Sequence, residues 1–249
     1  MSNEIAAAGI ILLKQTSSER PLEVLLLKRN SSLKVHGGDW VFPGGKVDIE
    51  DYSAINHTPS NIDLHNPPAL SPNDYLTLVT QTALRETHEE AGLFLPASAL
   101  HFYSRWLTPK AIDKRFNTCF FMAKTSNSIV TVDGSEIIDH QWISPSESLA
   151  LHKKGDIKVP PATYVSLVQL SHFEQAQTAI DALCQKPIYY RPKLIAIDGG
   201  MCSLYEDDSG YKDENYFAEG KHHRLEMKRG HFNYINHFQE TALSHNTAH

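Results

Sequence analysis

Arg85-Glu86-Thr87-His88-Glu89-Glu90-Ala91-Gly92-Leu93 closes a helical stretch, and its acidic residues decide what that helix is for. A helix turns about 100° per residue, so Glu86, Glu89 and Glu90, at i, i+3 and i+4, share one face. Carboxylates this close raise one another's pKa and weaken the helix unless a cation neutralises them. Oxygen donors of this kind suit Mg²⁺ or Mn²⁺. Alone, such a triple is more often a solvated, exposed helix face, so the flanking sequence has to decide.

Upstream, Ser71-Pro72 reads as a helix start, Leu76, Val79 and Ala83 fall at helical spacing, and Gly92 is the stop, which predicts a helix over 72–91. The stretch before it, Tyr52 to Asp74, turns to Asn, Ser, Pro and His. Pro59, Pro67, Pro68 and Pro72 exclude a long helix there, so it reads as a loop-like insertion. Further back, Trp40-Val41-Phe42 runs into Pro43-Gly44-Gly45, a turn that lets backbone approach a ligand closely.

Ala6–Leu13, Glu23–Leu27, Phe116–Ala123 and Ile137–Ile143 read as strands. Pro160-Pro161 opens a second helix with a stripe through Val165, Val168, Leu170, Phe173, Ile180 and Leu183. Strands and helices in this alternation predict a layered α/β (α+β) domain. Leu194–Ile197 and Met201–Tyr205 flank Asp198-Gly199-Gly200, which predicts a β-hairpin.

At 249 residues and 41% hydrophobic content the chain can bury a large core. Its formal charge of −6 argues against nucleic acid and anionic membranes as partners. The apolar run Ala6–Leu13 is too short to span a bilayer. Cys119, Cys184 and Cys202 are widely spaced with no Cys-x-x-Cys pair, so a reducing cytoplasm is the expected compartment.

Phe42-Pro43-Gly44-Gly45 followed by Arg85 to Leu93 resembles the Nudix hydrolase family, whose box reads G-x5-E-x7-R-E-U-x-E-E-x-G-U with U a bulky aliphatic residue. The second half matches, with Thr87 in place of the first aliphatic. In the first half Asp51 stands for the family's Glu, and residues 52–84 separate it from Arg85 where the pattern has seven. Loop closure costs grow only logarithmically with length, so the two halves can still meet.

The resemblance implies a Nudix-type α/β/α sandwich with a mixed sheet and the insertion, about 52–74, inside the box. It spans residues 1–187 and leaves 188–249 as a C-terminal extension. It further implies that Asp51 pairs with Arg85 and that Glu86, Glu89, Glu90 and the Gly44 carbonyl hold Mg²⁺ or Mn²⁺. Glu89 and Glu136 are the expected proton-handling carboxylates, with Arg85 beside them; Glu136 lies six residues before Trp142, and Asp139 and His140 are weaker substitutes for it.

The segment before the glycine turn narrows the substrate. Coenzyme A diphosphatases of the family carry L-L-T-x-R-[SA]-x3-R-x3-G-x3-F-P-G-G. Leu25, Leu26, Arg29, Gly38 and Phe42 to Gly45 fall in that register, while Leu27, Asn30 and Lys34 depart from it. Arg29, Lys34, Gly44 and Gly45 are therefore the expected substrate-binding residues. By the same resemblance the substrate is coenzyme A or an acyl-coenzyme A, cut to 3′,5′-ADP and a 4′-phosphopantetheine species, and an interrupted box marks an acyl-coenzyme A diphosphatase subfamily.

The competing substrates are ADP-ribose and other nucleoside diphosphate derivatives. Two rival classes are a Nudix-like nucleotide sensor without turnover and a zinc protein built on His222, His223, His231 and His237; neither the carboxylates nor the histidine spacing favours them. A small nucleotide is the expected partner, and the family resemblance allows a homodimer. Thr247-Ala248-His249 is no peroxisomal address, which again points to the cytoplasm.

Overall fold

The computed structural model describes residues 4–14, 21–55, 64, 69–126 and 129–238. Ile5–Lys14 forms β1, buried from Ala7 to Leu13 on both of its faces, as a strand covered by helices above and below must be. It runs parallel to β6 (Phe116–Lys124), from Ile5 opposite Phe116 to Leu13 opposite Lys124. Its other edge is shared. Leu13 and Lys14 pair with β2 (Glu23–Arg29), and Ala7 to Gly9 pair with the short β4 (Gly44–Lys46).

β2 is flanked by β3 (Trp40–Val41) and β7 (Ile137–Ile143), while β5 (His101–Leu107) pairs antiparallel with β6 and parallel with β8 (Ile188–Tyr190). The result is an eight-stranded mixed sheet with the path β3-β2-β1-β6-β5-β8.

Alternation along β1 sorts the core. Ile10 and Leu12 meet α1 (Pro72–Ala91) through Leu78, Val79 and Ala83. Ile11 and Leu13 face the opposite layer, where α3 (Pro161–Leu170) and α4 (Ala176–Leu183) pack through Leu167, Leu170 and Ile180 beside α2 (Pro145–Lys154). This is the expected α/β/α sandwich.

α1 occupies the predicted span. Ser71 caps it by accepting from the Asp74 amide, and Gly92 ends it at φ 68° with its N–H on the His88 carbonyl. Leu76 points outward, half exposed, and Leu78 takes the core position.

The second predicted helix is two. α3 stops at Leu170 and α4 starts at Ala176, with the Phe173 amide turning back onto the Leu170 carbonyl. Neither Gly nor Pro marks that break, and the apolar stripe continues across it because both helices pack on one face. β5 and α2, unforeseen in the sequence, complete the two layers.

Beyond β8, a second sheet runs β12-β11-β10-β9, formed by β9 (Lys193–Ile197), β10 (Gly200–Leu204), β11 (His223–Lys228) and β12 (His231–Asn236). It docks on the sandwich through Trp106, Val165, Tyr190, Tyr205 and Leu225. All three cysteines are free. No helix among the described residues is long and apolar enough to cross a membrane. Most of the 52–74 insertion and the chain end at Thr247-Ala248-His249 lie outside the described residues.

Candidate active site

Gly44 and Gly45 form β4, wedged between β1 and the C-terminal half of α1. A Cβ at Gly44 would strike the Ala8 carbonyl oxygen, and one at Gly45 would collide with the Glu86 carboxylate. The two glycines thus let a backbone strand lie directly on the acidic face. The Gly44 N–H donates to Glu90 Oε2 at 2.8 Å.

Arg85 is the hub of that face. Its Nε donates to Asp51 Oδ1 at 2.9 Å and its Nη2 to Asp51 Oδ2 at 3.0 Å, a planar fork matched to a carboxylate. Asp51, 1% exposed, also accepts from the Thr82 hydroxyl and the Asp48 amide. The chain therefore closes across the insertion: Asp51 belongs to a 3-10 turn, Ile49–Ile55, whose Tyr52 and Ile55 enter the core under α1. The second guanidinium arm, Nη1, reaches Glu86 Oε1 at 3.0 Å and Glu89 Oε2 at 2.9 Å, and Nη2 also donates to the Lys46 carbonyl.

Arg29 closes the other side. At the end of β2 the pairing with β7 shifts register between Lys28 and Arg29, a bulge of the kind that re-aims a side chain. Arg29 lies 3.7 Å from Glu90 Oε1 and 3.5 Å from Glu136 Oε2, and its buried Nε has no hydrogen-bond partner.

Glu136 is held from behind. Asp133 accepts from the Ser135, Glu136 and Ile137 amides and from the Ser135 hydroxyl. Asn30 ties the same loop down through its amide N–H to the Glu136 carbonyl and its side chain to the Ser135 carbonyl.

Five carboxylates, Asp51, Glu86, Glu89, Glu90 and Glu136, thus face two guanidinium groups. Burial, then the charges of Glu86 and Glu136, push Glu90 up to about 8 against the Gly44 N–H and Arg29. Burial also raises Glu86, although Arg85 opposes it. Burial alone would lower Arg85, yet the Asp51 hydrogen bond and the neighbouring glutamates hold it firmly protonated.

The structure brings together Arg29, Gly44, Gly45, Arg85, Glu86, Glu89, Glu90 and Glu136. It leaves Lys34 apart: that side chain is exposed in the β2–β3 turn, with no ion pair among the described residues. Nor do His222, His223, His231 and His237 converge. His223 is buried on Tyr234, His222 lies against His237, and His231 stands at the far end of β12. Among the described residues no three His, Cys, Asp or Glu side chains are arranged as a ready metal cage; Glu86 and Glu89 are turned onto Arg85.

Sequence reasoning missed Thr82, Asn30 and Asp133. Thr82 stands one helical turn before Arg85, and Asp133-Gly134-Ser135 has the composition of a turn whose Asp caps its own backbone, so both had a readable signal. Thr87, where the box has an aliphatic residue, is fully buried and its hydroxyl has no partner.

Residues 77–162 match the NUDIX domain family model. The chain is 24% identical over 238 residues to Acyl-coenzyme A diphosphatase NUDT19 of Xenopus laevis, covering 64% of this chain and 62% of that protein. It is 28% identical over 132 residues to the Homo sapiens protein of the same name, covering 49% and 34%. The chain thus spans less than two thirds of either relative. A NUDIX hydrolase structure from Alicyclobacillus acidocaldarius superposes with a TM-score of 0.60 at 20% identity, covering 75% of this chain and 100% of that one.

Residues 77–162 thus carry the NUDIX domain match, and the fold is that of a NUDIX hydrolase structure. In sequence the chain is similar to the acyl-coenzyme A diphosphatases.

Proposed function

We propose that this chain hydrolyses the diphosphate bridge of a nucleoside diphosphate derivative, with coenzyme A or an acyl-coenzyme A as substrate and Mg²⁺ or Mn²⁺ as the cation. The observation that carries the reading is the charge surplus around α1, where a buried Glu90 sits among four further carboxylates with, among the described residues, Arg29 and Arg85 to offset them. Hard oxygen donors in surplus fit a divalent cation. Glu86, Glu89, Glu90 and the Gly44 carbonyl would hold it, the glutamates turning from their arginine contacts. A cation there supplies neutralisation of the diphosphate and activation of water.

The protein's own residues do the rest. Asp51, itself held by Thr82, anchors Arg85, and Arg85 keeps Glu86 and Glu89 on the acidic face until they turn to a cation. Glu136, 62% exposed, faces solvent at the rim and accepts the proton of the attacking water. Arg29 carries a buried Nε with no partner and so has a donor to spare for a non-bridging phosphate oxygen. Lys34, exposed in the β2–β3 turn outside this cluster, is assigned to a second phosphate, one that lies away from the diphosphate. Cleavage of coenzyme A yields 3′,5′-ADP and 4′-phosphopantetheine. In this reading the hydrolase unit is the sandwich, which takes in β8 to Tyr190 and so runs slightly past the expected boundary at 187, and the four-stranded sheet extends it.

A metal-dependent hydrolysis screen of coenzyme A, acyl-coenzyme A, ADP-ribose and dinucleoside polyphosphates tests the substrate. Coenzyme A species should lead in kcat/KM, and a strong preference for ADP-ribose overturns the assignment. Lys34→Ala should lose about tenfold or more on coenzyme A and little on its 3′-dephosphorylated form. Equal losses on both would move Lys34 to the diphosphate, and no loss on either would remove it from the site.

A further inference from the structure

On the sandwich face opposite α1, where the C-terminal sheet meets the helices, α2, α3 and β12 enclose a cleft of about 470 Å³ lined by Leu149, His152, Lys153, Tyr164, His231 and Phe232, among others. A cleft of this size at the junction of two packed units is large enough for a small molecule. His152 is 6% exposed, and neither of its ring nitrogens has a partner in hydrogen-bonding geometry. It packs against Phe232 and Tyr164, at 4.8 and 5.2 Å between ring centres. The Tyr164 hydroxyl is spent on the Phe232 carbonyl, so the free polar groups of the cleft are the His152 ring, the His231 ring and the Lys153 ammonium.

Buried polar groups in native proteins are paired, and one left open asks for a partner. Here a buried imidazole lacks a partner in hydrogen-bonding geometry beside a lysine and a second histidine, with no carboxylate in the lining; burial keeps the ring neutral, against the pull of the Ile157 backbone and of Asp39. Such a set receives an anion. One N–H from each imidazole and the lysine ammonium, offered from a helix and a strand that line the same cleft, can serve the three acceptor oxygens of a phosphate. Leu149 and the rings of Tyr164 and Phe232 offer an apolar wall beside that head.

We infer that the cleft between α2, α3 and β12 is a second ligand site, taking a phosphate monoester with an apolar body, its phosphate on His152, Lys153 and His231. The site shares no residue with the acidic face of α1 and does not depend on the reaction proposed there.

Phenyl phosphate is the probe, followed through the histidine ring signals of the full chain by NMR. It should shift the His152 and His231 signals saturably at millimolar concentration, with inorganic phosphate binding more weakly and phenol giving no shift. Lys153→Met, at an exposed rim position, should weaken binding by about tenfold with the fold unchanged. Glu90→Gln should leave it intact. No saturable shift by about 10 mM, an equal response to phenol, or a loss in Glu90→Gln with none in Lys153→Met would each overturn the assignment. Should His152→Asn fail to fold, the Lys153 and Glu90 variants still decide it.

Discussion

Two arginine–aspartate forks are buried among the described residues, and they differ in what surrounds them. In the C-terminal sheet Arg224 grips Asp208 with Nε at 2.7 Å and Nη2 at 2.6 Å. The Gly210 and His223 amides complete the carboxylate, and the Tyr216 carbonyl takes the remaining guanidinium arm. That fork is closed: every strong donor has its acceptor. The Asp51–Arg85 fork has the same geometry, but its outer arm serves Glu86 and Glu89, and Glu90 and Glu136 crowd behind. Equal local geometry yields a structural staple in one place and a charge imbalance in the other, and only the imbalance invites a cation.

Arg224→Met tests the closed fork most severely. It strands Asp208, which is fully buried, and breaking such a pair costs about 3–5 kcal/mol. Urea unfolding should show that loss; a change under 1 kcal/mol would mean the staple is ornamental. Glu90→Gln tests the open one. Gln can still accept from the Gly44 amide, so stability should hold while kcat falls about 100-fold, ~2.7 kcal/mol. Activity near that of the native chain would take Glu90 out of the site.

Next comes pH. Burial lowers His223 to about 4, against the pull of Asp207 and Asp208. The folded state therefore refuses a proton that the unfolded chain accepts near pH 6.5, so stability is full above that pH and falls as the pH drops towards 4, by about 3 kcal/mol. His223→Gln, which does not titrate, should flatten that slope, and an unchanged slope would assign the loss elsewhere.

Asp133→Ala, which frees the loop behind Glu136, should lower kcat about tenfold, ~1.4 kcal/mol, with KM unchanged. A rise in KM alone would make the loop a binding element. Smallest of all, removing residues 56–68 should leave Mn²⁺ affinity within about twofold, since loop length enters closure only logarithmically. The cut must spare Ile55, which is packed in the core. Loss of Mn²⁺ binding in a folded variant would place the insertion in the site.

The acidic helix was legible from end to end because its caps, Ser71 and Gly92, are local signals and its face is a matter of spacing. A solvated face, the common fate of such a triple, is only half realised: Glu89 is exposed, but Glu90 is covered by β4, a contact made by residues far away in the chain. The join of Asp51 to Arg85 could be expected only through the family pattern, since nothing in residues 52–84 says that they return to their starting point. β11 and β12 went unread although Leu225 and Met227, then Phe232 and Tyr234, alternate with polar residues and pack on one face, the pattern of a half-buried strand; the charges of Arg224, Glu226 and Lys228 masked it, and their partners Asp208 and Tyr216 lie in the preceding loop.

The parallel pairing of β1 with β6 has a consequence for the chain as it is made. β1 is nearly all aliphatic and sits at the centre of the sheet, yet its long partner begins at Phe116. At about 5–20 residues per second, the ribosome leaves that edge without its full-length neighbour for several seconds. A bare aliphatic strand edge is a template for wrong pairing. The nascent chain therefore has a window in which α1 and β4 can cover parts of β1 but not its open side, and a holdase chaperone that binds short apolar segments would have its best target at Ile10 to Leu13.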